Sequence, residues 1–255
     1  CRDWVVLTWD AVGIGPDGSI RGGEALAGRP GDWRAVAGLM PFYPQGGDAV
    51  AHAPWRSAAA LVWAMGRDLP REVPGAALVH AAWAQGLNAP RTASVGRLLD
   101  GCACLILGVD TVSHEAEAPM RLEALAARGH AHPLRIPLVP DAAGLPRGDW
   151  RGLITWLLDG GATAPDRAAT VHAALADLGA RMLALAPRAM PGLTGGVAQS
   201  KTLAEALAGH LERAGRDLVL PTLAPGNDGG LSLGQIVETL AADGALPAWR
   251  KGDTQ

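Results

Sequence analysis

The chain is short of aromatic residues: among 255 residues there are nine Trp, one Tyr and one Phe. An interior with so few rings has to be built largely from Leu, Val and Ala. Cysteine is equally scarce. Three residues, Cys1, Cys102 and Cys104, cannot make a disulfide framework, because one is always left over. Cys102 and Cys104 lie in an apolar run and read as buried thiols in a reducing cytosol. No Cys/His spacing suits zinc, and the seven His include no His-x3-His pair. His130-Ala131-His132 follows a helix stop, precedes Pro133 and reads as exposed loop. There is no nucleophile elbow, Walker loop or C-x-x-C. No run of about 20 apolar residues offers a membrane helix, and no segment reads as a signal peptide. Neither sign of charge dominates: 22 basic against 25 acidic residues give a net charge of −3 with no basic stripe. Nucleic acid is therefore not expected as a direct partner.

What is present fits a globular protein, with 49% hydrophobic and 18% charged residues. A chain of this length buries roughly 70–75% of its unfolded surface, enough for one large domain or two small lobes. The pattern predicts strands over 4–9, ending at Asp10, and 19–25, interrupted by Gly22-Gly23. A turn at Gly13, Gly15 and Pro16-Asp17-Gly18 joins them. A short strand within 33–47 follows, then helices over 54–65, 76–86 and 92–107, the last capped by Thr92 or Ser94. Helices over 115–128, 150–158 and 165–185 surround a short strand at 134–139, weakened by Pro137. The last third alternates: strand 191–194, helix 201–214 with Leu203, Leu207 and Leu211 on one face, strand 217–222, helix 229–242. This βαβα order argues for an α/β fold with a parallel sheet.

Two glycine doublets are the most informative features. Leu193-Thr194-Gly195-Gly196 and Asn227-Asp228-Gly229-Gly230 each stand where a strand gives way to a helix. Such corners bring backbone N–H groups and a helix N-terminus to an anion. Asp10 and Asp228 fall at strand-end positions suited to a hard cation and a phosphate-bearing ligand. They also fit a turn former and a helix N-cap respectively. Gly96 permits close approach at a helix start, and Asp100, one turn on, suits either ribose hydroxyls or a solvated helix face.

Read in order, these blocks resemble the C-terminal, Kae-like domain of HypF-type carbamoyltransferases, which mature nickel–iron hydrogenases. The family pattern D-G-T-G-x-G-x-D-G, then W-G-G-E, is similar to Asp10-Ala11-Val12-Gly13-Ile14-Gly15-Pro16-Asp17-Gly18, then Arg21-Gly22-Gly23-Glu24. P-G-G-D-x-A and P-W-R resemble residues 45–50 and Pro54-Trp55-Arg56. T-S-S-x-G-R-L-F-D resembles the run from Thr92, S-G-G-V-F-Q-N the run Thr194–Ser200, and N-D-G-G-L-A-L-G-Q the run Asn227–Gln235.

The resemblance implies an actin-like (ASKHA) two-lobed fold, helix-rich, with an incomplete N-terminal lobe. Residues 1–90 would be the remainder of that lobe with connecting helices, 91–245 the nucleotide-binding lobe and 246–255 a tail. It implies ATP, AMP or carbamoyl-adenylate near Asp100, Glu115, Gly195, Gly196, Ser200 and Asn227. It also implies a divalent metal, Fe or Zn, on Asp10 and Asp228, with a His pair expected before Cys1. The implied partners are a YrdC-like domain supplying carbamoyl-adenylate and a HypE-like protein whose C-terminal Cys accepts the carbamoyl group in the cytoplasm. Ala11-Val12 in place of G-T, Arg21 in place of Trp, Ala116-Glu117 in place of G-Q and Ser200 in place of Asn depart from the pattern. They leave two other readings open: a non-catalytic nucleotide- or partner-binding domain, and a small-molecule O-carbamoyltransferase.

Overall fold

The computed structural model describes residues 3–15 and 17–245. Cys1, Pro16 of the expected turn and the tail at 246–255 lie outside the described residues. The architecture is α/β, a mixed sheet with helices. Three long strands, β1 (Trp4–Ile14), β2 (Ile20–Arg29) and β3 (Asp32–Leu39), form an antiparallel meander. A short hairpin, β4 (Leu138–Pro140) with β5 (Pro146–Gly148), extends it through β5, and β6 (Met190–Thr194) pairs parallel to β1. The order across the sheet is β4-β5-β3-β2-β1-β6, so strands from both sides of residue 90 share it.

Period-two burial explains β1: Val5, Leu7 and Trp9 are fully buried, while Trp4, Val6 and Thr8 are half-buried. The helices are α1 (Pro54–Trp63), α2 (Ala76–Ala84), α3 (Val95–Leu107) and α4 (Glu117–Ala126), then α5 (Arg151–Asp159), α6 (Ala164–Leu183), α7 (Lys201–Arg213) and α8 (Leu231–Ala242). The most enclosed is α3, in which every residue from Val95 to Cys104 is buried. It packs on α1, α4, α6 and β1. Gly101 allows α1 to cross it, since a Cβ there would stand 2.6 Å from Leu61 Cδ1 and 3.2 Å from the Ala58 nitrogen. Gly179 of α6 does the same beneath the sheet, 2.9 Å from Leu7 Cδ1 and 3.0 Å from Trp9 Cη2 on the same measure. In α7 the buried residues are Leu203, Leu207 and Leu211, the face its spacing predicts. Arg216 closes the end of α6, donating to the carbonyls of Leu183 (3.1 Å) and Ala189 (2.7 Å), which satisfies acceptors a helix end leaves open.

Four expectations change. The sheet is not parallel but mixed, since β1, β2 and β3 pair antiparallel and only β6 and β5 add parallel pairs to them. β1 does not end at Asp10 but continues to Ile14. The stretch 217–222 is not a strand: only Val219 bridges Gly192, its N–H donating to Pro191 O at 2.9 Å. Pro221 has no N–H to extend that ladder, and Leu220 and Leu223 are exposed. The strand expected over 134–139 shrinks to Leu138–Pro140 and gains β5 as a partner. Among the described residues α8 has none buried; Glu238 ties it to the β2–β3 turn, accepting from the Gly31 N–H at 2.7 Å and Trp33 Nε1 at 2.8 Å. No described helix is long and apolar enough to cross a membrane.

Leu7→Ala is expected to cost about 2–5 kcal/mol in urea denaturation, as for other fully enclosed leucines. Val12→Ala, at a position 54% exposed, should change stability by less than about 0.5 kcal/mol.

Candidate functional site

Between Trp9↔Gly23 and Gly13↔Arg21 the β1–β2 register slips, so that Asp10, Ala11 and Val12 stand opposite Gly22 alone. This bulge is the centre of the site. A bulge strips its partner strand of ladder acceptors. Here the buried Glu24 carboxylate supplies them: its Oε2 accepts from the N–H groups of Gly22 (2.8 Å) and Gly23 (3.0 Å). Gly22 has φ +139°, and a Cβ there would stand 2.5 Å from Asp10 O. From the helix side, Ser94 caps α3, its Oγ accepting from the Arg97 N–H at 3.0 Å and donating to Asp10 O at 2.7 Å. Thr92 instead accepts from the Ser94 N–H at 3.2 Å. Gly96 brings the first turn of α3 against Ala11, with a Cβ position 2.7 Å from its Cα.

The first glycine doublet closes the third side. At Gly195, φ is +99° and a Cβ would stand 2.2 Å from Trp9 O; at Gly196 it would stand 2.9 Å from Asp10 Oδ1. The half-buried Asp10 carboxylate accepts from the Ala11 N–H at 2.7 Å. The turn that leads into the second doublet reaches the first through Gly226. Gly226 O accepts from the Gly195 N–H and from Thr194 Oγ1, the latter at 2.9 Å. The Gly195 N–H is thus committed within the protein, and the missing side chain makes way for Trp9 O. Asn227, not Asp228, caps the short turn Asp228–Gly230, its Oδ1 accepting from the Gly229 N–H at 3.1 Å. Asp228 is exposed. Ser200 is the N-cap of α7, accepting from the Leu203 N–H at 3.3 Å, and Glu123 accepts from the Thr202 N–H at 2.8 Å. Two donors of that helix end are therefore already taken.

One turn into α3 lies a group that sequence reading found only in part. Asp100 is not solvated but 2% exposed, and Arg97 is 5% exposed. Arg97 Nη1 lies 3.0 Å from Asp100 Oδ2, and Arg97 Nη2 donates to Glu115 Oε1 at 2.8 Å. Asp100 Oδ2 and Arg97 Nε have no hydrogen-bond partner. Burial pushes the Asp100 carboxyl up to about 7, against the pull of Arg97 and with the added push of Glu115. The buried Arg is the residue missed; the signal for it was an Arg at i with an Asp at i+3 inside an otherwise apolar helix. His130 and His132 lie in exposed loop as expected, and Cys102 and Cys104 are buried free thiols.

The described residues contain no group of three or more His, Cys, Asp or Glu able to hold a metal ion. Asp10 and Asp228 alone fall short of the donor set that Zn or Fe takes. The arrangement is a close meeting of backbone corners at the β1 bulge, with a buried Arg–carboxylate group one turn into α3.

A family model described as "Carbamoyltransferase, Kae1-like Domain, second subdomain" matches residues 6–235. The chain is 37% identical over 246 residues to carbamoyltransferase HypF of Rhodobacter capsulatus, covering 92% of this chain and 32% of that protein. Its fold is similar to that of T. kodakarensis HypF, with a TM-score of 0.80, 26% identity and coverage of 96% of this chain and 35% of that one. A structure of full-length HypF in its phosphate- and nucleotide-bound form shares the fold with a TM-score of 0.79 at 21% identity, over 93% of this chain and 33% of that one. The chain spans about a third of the length of most of the curated relatives it matches.

A carboxyl whose folded-state value is raised contributes stability below its unfolded value, about 4, and loses it as pH rises through about 7. The buried His172, held low mainly by burial, acts oppositely, losing stability as pH falls below about 6.5. The test is therefore a difference. Denaturation of the chain and of Asp100→Asn from pH 4.5 to 7.5 should show the variant gaining on the parent as pH rises.

Proposed function

Because this chain belongs to the HypF carbamoyltransferase family, in its Kae1-like region, we propose that it is a nucleotide-binding part of a carbamoyltransferase. The adenylate lies across the joined glycine corners, within an actin-like, two-lobed domain. The donor in this reading is carbamoyl-adenylate, delivered from a YrdC-like domain, and the acceptor is the C-terminal Cys thiolate of a HypE-like protein. The sulfur attacks the carbamoyl carbon, a C–S bond forms, the C–O bond to phosphate breaks, and AMP leaves with the electron pair. Developing charge on the carbonyl oxygen and the phosphate calls for fixed donors. The reaction is one of the cytoplasm, of hydrogenase maturation and of no nucleic acid or membrane.

The observation that carries the reading is the junction of the two doublets through Gly226 O. It ties Gly195 to the residue before Asn227, which supports the resemblance's assignment of Gly195, Gly196 and Asn227 to nucleotide. In this reading Asp100 and Glu115 serve the ribose, and Ser200 stands at the start of α7. No step is routed through a metal, since Asp10 and Asp228 are an incomplete donor set. A second reading, binding of nucleotide or a partner without turnover, is favoured by Ser200, whose Oγ already serves the Leu203 N–H. A hydroxyl-bearing small molecule in place of the thiol tail is the third.

Calorimetry of the chain with ATP and AMP should show binding. Gly196→Ala, which puts a Cβ 2.9 Å from Asp10 Oδ1, should weaken it at least about tenfold, while Gly152→Ala, which meets open space, should not. Absence of any adenine-nucleotide binding would count decisively against all nucleotide readings. AMP release from carbamoyl-adenylate that requires a thiol-bearing acceptor separates the transferase from the other two.

A further inference from the structure

Two blocks of the sequence take no part in the bulge or the glycine corners: residues 45–50 and Pro54-Trp55-Arg56. The fold brings them together. α1 opens with Pro54, and Arg56 reaches back from its first turn to Gln45. Arg56 Nη1 donates to the Gln45 carbonyl at 3.0 Å and to Gln45 Oε1. Gly46, with φ +129°, makes room for it: a Cβ there would stand 2.8 Å from Arg56 Nη1 and 3.2 Å from Arg56 Cζ. The guanidinium lies over the buried Trp55 ring, with Cζ 5.1 Å from the centroid. That contact occupies its face and leaves the N–H edge open.

Asn88 holds the same loop from the other side. Phe42 and Thr92 exchange both backbone hydrogen bonds at 2.9 Å, and the Gly46 N–H donates to Asn88 O at 2.8 Å. Residues 42–46 and 88–92 thus run as a short antiparallel ribbon. Asn88 takes φ +48°, a left-handed conformation costly for a residue with a side chain. Its amide lies against Gly47, where a Cβ would stand 3.1 Å from Oδ1 and 3.4 Å from Nδ2. Among the described residues that amide has no hydrogen-bond partner. Strain gathered in one loop is a reason to look there for a ligand.

Three half-buried arginines, Arg56, Arg167 and Arg216, are held below their ordinary value by burial. Arg167 spends its guanidinium on the carbonyls of Leu105 and Leu157, and Arg216 on those of Leu183, Ala186 and Ala189. Arg56 differs, because both of its bonds leave from Nη1. Its Nε and Nη2 have no partner among the described residues, and neither is sealed from water. Burial is the one cause acting on it, so no charged side chain of either sign stands close. A half-buried guanidinium with no counter-charge and open donors calls for an anion.

We propose that the open edge of Arg56, backed by Trp55 and set in the Gly46-Gly47 loop beside the Asn88 amide, is a binding site for a carboxylate. Nε–H and one Nη2–H are parallel donors that match the two oxygens of that group. The Asn88 amide can add a third donor. One positive charge balances a carboxylate, whereas a phosphate near its dianion is left half compensated. The site goes beyond the nucleotide reading and does not rest on it.

The isotope-labelled chain would be titrated at constant ionic strength with acetate, N-acetyl-dialanine, the amide of that dipeptide and inorganic phosphate. NMR signals of the Arg56 Nε–H and the Trp55 Nε1–H report on the site. Acetate and the dipeptide should shift both signals and saturate at about 1–10 mM. The dipeptide amide should shift neither. Arg56→Lys, which keeps the charge and loses the fork, should weaken the carboxylates at least about fivefold at the Trp55 signal. Asn88→Gly removes the amide at a φ that glycine takes freely, and should weaken them about threefold. It keeps the test readable where Arg56→Lys fails to fold. A dipeptide tighter than acetate identifies a peptide chain end as the source, equal affinity a small organic acid, and either upholds the site. Shifts that never saturate, saturation by the amide, phosphate bound at least as tightly as acetate, or affinities unchanged in the folded variants overturn it.

Discussion

Close backbone approach around the Asp10–Val12 bulge is the constraint on which the rest of the structure depends. Gly22, Gly96, Gly195 and Gly196 come from a neighbouring strand, a helix start and a strand-to-helix corner, and each meets the same short piece of β1. A single methyl group at three of these positions would fall within 2.7 Å of backbone. The β1–β2 pair, the β1–β6 pair and the seat of α3 therefore cannot be adjusted one at a time. Glu24 makes the arrangement affordable in hydrogen bonds, because the bulge leaves Gly22 and Gly23 N–H groups facing a carboxylate rather than nothing.

Much of this was legible in the chain. Alternation in Trp4–Trp9, the i,i+4 leucines of α7 and the Ser94 cap each act through near neighbours, and local chemistry decides them. The glycine doublets also announced themselves, because Gly is the residue that a crowded corner selects. What could not be read is what depends on distant partners. β1 runs past Asp10 because β2 pairs with Gly13 and Ile14 beyond the bulge. The β4–β5 hairpin exists because β3 offers an edge. Asp100 is buried rather than solvated because elements from distant parts of the chain enclose α3, of which residues 95–104 give only the hint of an Arg and an Asp paired in an apolar run.

At the site, most polar groups turn out to be engaged with the protein itself. The Gly195 N–H, the Asn227 side chain and two N–H groups of α7 all have internal partners. A ligand here would meet a shape first and a set of donors second. The buried Arg97–Asp100 pair stands apart from this pattern, since Arg97 Nε and Asp100 Oδ2 lack hydrogen-bond partners in a nearly dry setting.

Ser200 carries a wider consequence. As the first turn of α7 is held by its hydroxyl, a serine and an asparagine are close to equivalent in the eyes of the helix. Exchange between them is nearly silent to folding, yet it shortens the reach of the side chain by one amide. Selection for a stable protein would let such a swap pass unseen, and only selection on chemistry would notice it. A thermal melt of this chain is therefore blind to one of the alterations that separate it from the family pattern.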